Sequence, residues 1–85
     1  NINELISIVK NKLYEEIDIQ NLKINDKSFL HKTHKGNQPD KFHLKIEIQS
    51  DELKKMSKID SNKKIYKILN DEIKKHIHSL QILIY

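Results

Sequence analysis

Phe42-His43-Leu44-Lys45-Ile46-Glu47-Ile48-Gln49 alternates apolar and polar side chains without a break. That is the period-two signature of a β-strand with one face buried and the other solvated. A lone strand is not stable, so the flanking sequence has to supply partners and a covering layer. Upstream, Ile19, Leu22 and Ile24 predict a second strand within residues 18–26, with a slip in the alternation between Ile19 and Leu22. Downstream, Leu80, Ile82 and Ile84 alternate with Ser79, Gln81 and Leu83, which predicts a last strand running to Tyr85. Between these strands, Ser50-Asp51-Glu52 reads as a cap opening a short helical turn, and Ser57 with Asp60 resembles a capping box. A longer helix is expected from Lys58 to Lys75, with Ile59, Ile65, Tyr66, Ile68, Leu69 and Ile73 as its buried stripe and Lys74 and Lys75 in the last turn, where cations suit the dipole. No glycine follows, so His76 or a neighbour is expected to take a left-handed stop. At the other end, Ile2, Leu5, Ile6, Val9 and Leu13 recur at helical spacing, with Asn3 as the expected cap.

The order is therefore α-β-β-α-α-β. It implies a single small α+β domain over residues 1–85, with a three-stranded sheet and the helices on one face. Two independent cores in 85 residues would each bury too little surface. The chain has no cysteine, which excludes a disulfide scaffold, a cysteine zinc finger, a self-contained thiolate iron–sulfur cluster and a cysteine nucleophile. Five histidines, at 31, 34, 43, 76 and 78, are the available metal donors. All 16 basic residues are lysine, and there is no arginine or alanine. AT-rich coding would produce that bias, and lysine lacks the bidentate fork that suits phosphates and guanines. The net charge of +4 thus carries little weight towards nucleic acid. No apolar run approaches the roughly 20 residues of a membrane span, and no basic-then-apolar signal opens at Asn1. A soluble cytoplasmic protein is the expectation, with any targeting segment upstream of Asn1 outside its scope.

Residues 27–41 hold the only glycine, the only proline, Asn37, Asp40 and two of the histidines, His31 and His34. Connections of roughly 12 to 15 residues are uncommon in small domains and are more often functional or disordered than merely connecting. Enzyme motifs are absent: there is no phosphate-cradling glycine loop, no His-Glu-x-x-His and no glycine-flanked serine. Ser28 near His31 lacks an orienting group for a nucleophile pair, and Glu15, Glu16 and Asp18 read as a solvated helix end. A binding module is expected, not an enzyme.

Several linked stretches resemble the BolA-like protein family. Asp26-Lys27-Ser28-Phe29-Leu30-His31 is similar to the family's Asp-Glu-Ser-x-x-His, and Phe42-His43-Leu44-Lys45-Ile46 to its Thr-His-Phe-Lys-Val strand. Ser50-Asp51-Glu52-Leu53 is similar to its Ser-Asp-x-Phe. Ile65-Tyr66-Lys67-Ile68-Leu69 and Glu72-Ile73-Lys74-Lys75 resemble its long helix, and Ile77-His78-Ser79-Leu80 its Val-His-Ala-Leu signature. The resemblance covers residues 22–84 and implies a fold like the type II KH domain. It also implies a partner, a monothiol glutaredoxin, with which the family shares a bridging [2Fe-2S] cluster. There the glutaredoxin cysteine and glutathione supply sulfur, and the BolA-like chain supplies the signature histidine, here His78, with a histidine or cysteine from the loop between the first two strands. This chain matches the histidine-loop type, having no cysteine. Counting from Ser28 selects His31 as the loop ligand, whereas counting back nine residues from His43 selects His34, and both stay open. Imidazole ligation leaves a [2Fe-2S] cluster less negative than four thiolates would, raising its potential and making the ligand protonatable near neutral pH, as in Rieske centres. With the family resemblance, this implies cluster trafficking or redox regulation more than stable electron storage.

Each histidine also has a plainer role. Loop histidines are often polar filler. His78 before a strand suits a helix-to-strand lock, which is compatible with ligation when one ring nitrogen binds metal and the other is held. His43 falls on the polar strand face and fits a hydrogen-bonded structural role, and His76 stands where the family has glycine. The alternative function is a DNA-binding transcriptional regulator that uses residues 51–75 as a helix-turn-helix, with Lys63 and Lys64 as contacts. Against it, Ser61-Asn62-Lys63 replaces the family's Arg-His-Arg, Lys55 replaces a glycine, and the Gly-x-x-Gly clamp of KH domains is missing. The free protein is expected to be a monomer.

Overall fold

The alternating stretch forms a strand as its pattern dictates, β2 at Phe42–Gln49. The structure, a computed structural model, describes residues 1–28 and 41–85. In chain order the elements are α1 (Ile2–Glu16), β1 (Asn21–Asp26), β2, α2 (Asp51–Lys54), α3 (Lys58–Ile68), α4 (Asn70–Lys75) and β3 (Ile77–Ile84). The strands lie in the order β1-β2-β3, with β1 antiparallel and β3 parallel to β2. A parallel neighbour requires a crossover, and the three helices between β2 and β3 provide it. This is the expected α+β domain with a three-stranded sheet. Among the described residues, no helix is long and apolar enough to cross a membrane.

Strand register aligns the apolar faces. Leu22 faces Ile48 and Ile24 faces Ile46 across β1 and β2, while Leu80, Ile82 and Ile84 face Leu44, Ile46 and Ile48 across β2 and β3. Leu44, Ile46 and Ile48 are buried under Leu5, Val9 and Leu13 of α1 and under Ile65 and Leu69. The slip after Ile19 has a simple origin: β1 begins at Asn21, and Ile19 belongs to the turn before it. That turn is tied down by side chains. Buried Ser50 donates to the Asp18 carbonyl at 2.8 Å and also caps α2 by accepting from the Leu53 N–H at 3.2 Å.

Four local expectations are corrected. The cap of α1 is Asn1, whose Oδ1 accepts from the Glu4 N–H at 3.0 Å; Asn3 lies inside the helix. The expected helix from Lys58 to Lys75 is two helices that meet at Leu69, whose ψ of 17° departs from helical geometry. No proline or glycine marks the break. It accompanies full burial of Leu69 and a turn of α4 that brings Glu72 against Lys12 of α1. Of the expected stripe, Ile65 and Leu69 are buried and Ile68 and Ile73 pack partly buried against the core, but Ile59 and Tyr66 are exposed at 68% and 43%, and polar Ser61 and Glu72 are buried instead. Lastly, His76 is not left-handed: its φ is −132°, and its carbonyl accepts from the Phe42 N–H at 2.8 Å, so the helix end passes directly into the β2–β3 ladder.

Candidate functional site

The start of β2 and the start of β3 meet at one end of the sheet, and there the parallel ladder is irregular. Phe42 faces Ile77, but the next β2 residue, His43, faces Ser79. His78 is therefore the extra residue of a bulge, a feature that re-aims a side chain out of the regular alternation. It is exposed. Its ring centroid lies 4.9 Å from that of His43, with the planes inclined by 53°.

His43 lies on the polar face of β2 by alternation and yet is only 6% exposed. A buried polar ring needs partners. Nδ1 shares a 2.6 Å hydrogen bond with Ser79 Oγ, its direction set by the ring tautomer. The His43 N–H donates to Ser28 Oγ at 3.0 Å, and the His43 carbonyl accepts from the Lys27 N–H at 2.7 Å. Ser28 is itself fixed by its N–H donating to Asp26 Oδ1 at 2.9 Å, an Asx-type turn closing β1. The chain segment bearing the loop histidines thus departs from Ser28 beside His43 and re-enters at Lys41 just before it. His31 and His34 lie outside the described residues.

The structure brings His78 and His43 together in ring contact. His76 is exposed and lines a hollow with Phe42, the cap residue Asn1 and the first turns of α1, including Glu4. Ser28, weighed as a nucleophile, instead accepts from a backbone N–H. Ser79 is the residue that the sequence did not single out. By alternation it was one more polar position on β3, and only the strand register pairs it with His43. Among the described residues, no three His, Cys, Asp or Glu side chains converge to hold a metal ion.

The lysines weighed for nucleic acid lie elsewhere, along a groove between α1 and α3. Lys64 Nζ is 2.9 Å from Glu52 Oε2, whereas Lys63 is exposed. The Lys64 hydrogen bond, seconded by the Asp18 N–H at 3.1 Å from Oε1, holds the Glu52 carboxyl below the usual carboxylate range. Across the same groove Lys12 Nζ contacts both oxygens of buried Glu72, at 2.9 and 2.8 Å. That hydrogen bond raises Lys12 above the ordinary lysine value, outweighing the desolvation that lowers it. Glu15, Glu16 and Asp60 share the groove, so its charge is mixed.

The comparisons with known proteins agree on one family. A family model described as BolA-like protein matches residues 13–85. The DNA-binding transcriptional regulator BolA of Haemophilus influenzae is 30% identical over 78 residues, which are 92% of this chain and 73% of that protein. Among solved structures, the BolA domain of SufE1 from Arabidopsis thaliana superposes with a TM-score of 0.77 at 31% identity, covering 92% of this chain and 86% of that one. BolA1 from the same plant gives 0.78 at 28% identity, with the same two coverages. With strand order, helical layer and sequence all in agreement, the chain belongs to the BolA-like family.

Proposed function

We propose that this chain binds a monothiol glutaredoxin and shares a bridging [2Fe-2S] cluster with it through histidine, acting in cluster trafficking or redox regulation. The observation that carries the proposal is His78: an exposed imidazole on a bulge, at the end of the sheet where the His31 and His34 segment begins and ends. The donor chemistry fits. Imidazole suits iron, and a chain without cysteine leaves the sulfur ligands to its partner and to glutathione. His78 would hold one position, and His31 or His34 the second. When bound, the cluster supplies redox and transfer chemistry. The chain's own part is to present an imidazole at a fixed place and to dock the partner.

A pull-down on immobilised monothiol glutaredoxin, run with and without glutathione, iron and sulfide, tests this. Retention that strengthens when the cluster components are present is expected; absence of retention under both conditions contradicts it.

A second reading is supported by the name of the Haemophilus influenzae relative, a DNA-binding transcriptional regulator. In this chain the surface for it would be α3, with Lys63 available and Lys64 shared with Glu52. DNA binding by that surface weakens steeply with salt, and the K63Q/K64Q double variant reduces the salt slope by about 2. No shift of labelled duplex at low salt removes it.

A further inference from the structure

A ligand on a protein surface is only as well placed as the groups that hold it. A solvent-exposed histidine samples several staggered χ1 wells, and its ordering must be met at the moment of binding. His78 has a rigid neighbour in His43, whose ring is 4.9 Å away and tilted by 53°. Tilted contacts of this kind are the favoured geometry for flat rings. His43 is anchored on each side: Nδ1 to Ser79 Oγ at 2.6 Å, the backbone N–H to Ser28 Oγ at 3.0 Å and the carbonyl to the Lys27 N–H at 2.7 Å. The Ser79 bond has a second effect. Because His43 and Ser79 are register partners, it pins the pairing in which His78 is the extra residue. At 6% exposure, His43 has little surface to offer a metal brought by another protein.

We propose that His43 is a positioning residue for His78: its buried ring, through its tilted contact with the His78 ring at the bulge, holds the His78 imidazole in one rotamer facing out of the sheet end. This rests on His78 being the cluster ligand. Partners that orient metal-bound histidines typically matter by 10- to 100-fold in metal affinity. His43 differs from the usual carboxylate or carbonyl partner in acting through ring contact.

Two substitutions separate ring contact from hydrogen bonding. His43→Gln keeps a polar atom towards Ser79 and removes the ring, and His43→Phe keeps a ring and removes the polar atom. The backbone amide spectrum confirms that each variant is folded. In the partner-free protein, the Hα–Hβ couplings of His78 are expected to report one rotamer in the wild type, averaging in His43→Gln and a single rotamer again in His43→Phe. In the reconstituted glutaredoxin complex, cluster loss to a chelator is expected to be roughly 10-fold faster for His43→Gln, with recovery in His43→Phe. A purely structural His43 would lower the melting temperature and leave both the couplings and the loss rate unchanged, which overturns the inference. An unchanged cluster spectrum in His78→Ala would overturn the ligand assignment instead, and the couplings would still decide whether His43 positions His78.

Discussion

Ser50 and Ser57 both cap helices, and the difference between them shows what burial adds to a hydrogen bond. Ser57 is exposed and its Oγ accepts from the Asp60 N–H at 3.0 Å, a contact that water can replace. Ser50 is fully buried and serves two elements, accepting from Leu53 N–H while donating to the Asp18 carbonyl. Removing a buried partner strands the groups that it satisfied. Ser50→Ala is expected to cost about 2 kcal/mol or more in urea unfolding and Ser57→Ala about 0.5–1 kcal/mol; equal losses would contradict the dual role. Both caps were legible in the sequence because a cap is a local pattern. The Asp18 tie was not, since it joins residues 32 apart. The same limit applied at the site. His78 is legible as a candidate ligand from its motif, whereas the His43–Ser79 bond depends on a strand register offset by one residue.

At the level of elements, strands are easier to read than the helix expected over Lys58–Lys75. Each strand's apolar face is set by alternation alone, and Leu44, Ile46 and Ile48 are buried as the pattern dictates. Helix orientation depends on which residues the tertiary fold turns inward. Ser61 and Glu72, both polar, lie on the inward stripe, whereas apolar Ile59 is turned outward. Composition therefore ranked them the wrong way round. Small Ser61 satisfies its hydroxyl by donating to the Lys58 carbonyl at 3.0 Å, and Glu72 is accommodated by its two contacts to Lys12. Leu69→Ala, at the bend between α3 and α4, is expected to cost about 2–5 kcal/mol. Ile59→Ala should stay within about 0.5 kcal/mol of wild type, as exposed substitutions usually do. Comparable losses in thermal or urea unfolding would restore the single straight helix with Ile59 in its stripe.

Taken as a whole, the molecule is a sheet with one covered face, and two ion pairs tie its helical layer together: Lys12–Glu72 joins α1 to α4, and Lys64–Glu52 joins α3 to α2. Each pair adds a contribution to stability that depends on pH. The raised Lys12 contributes stability that is complete below the ordinary lysine value and is lost as pH rises through its folded value. The lowered Glu52 contributes stability that is present above the ordinary carboxylate value and is lost as pH falls through its folded value. Unfolding midpoints should therefore fall at both ends of the range. Glu52→Gln is expected to flatten the acid limb and leave the alkaline one, and an unaltered acid limb would show that Lys64 and Asp18 do not hold the carboxylate.

His78 and His76 stand two residues apart in sequence, with His78 in ring contact with His43 and His76 lining the hollow beside the start of α1. That difference allows the central claim to be tested on the chain itself. Wild type, His78→Ala and His76→Ala would each be mixed with a monothiol glutaredoxin, glutathione, iron and sulfide, and the visible absorption and circular dichroism of the complex recorded. His76→Ala should reproduce the wild-type spectrum of the bridged cluster, whereas His78→Ala should shift it towards that of glutaredoxin alone and destabilise the heterodimer. A wild-type spectrum and a stable heterodimer from His78→Ala would contradict the assignment of His78 as the ligand.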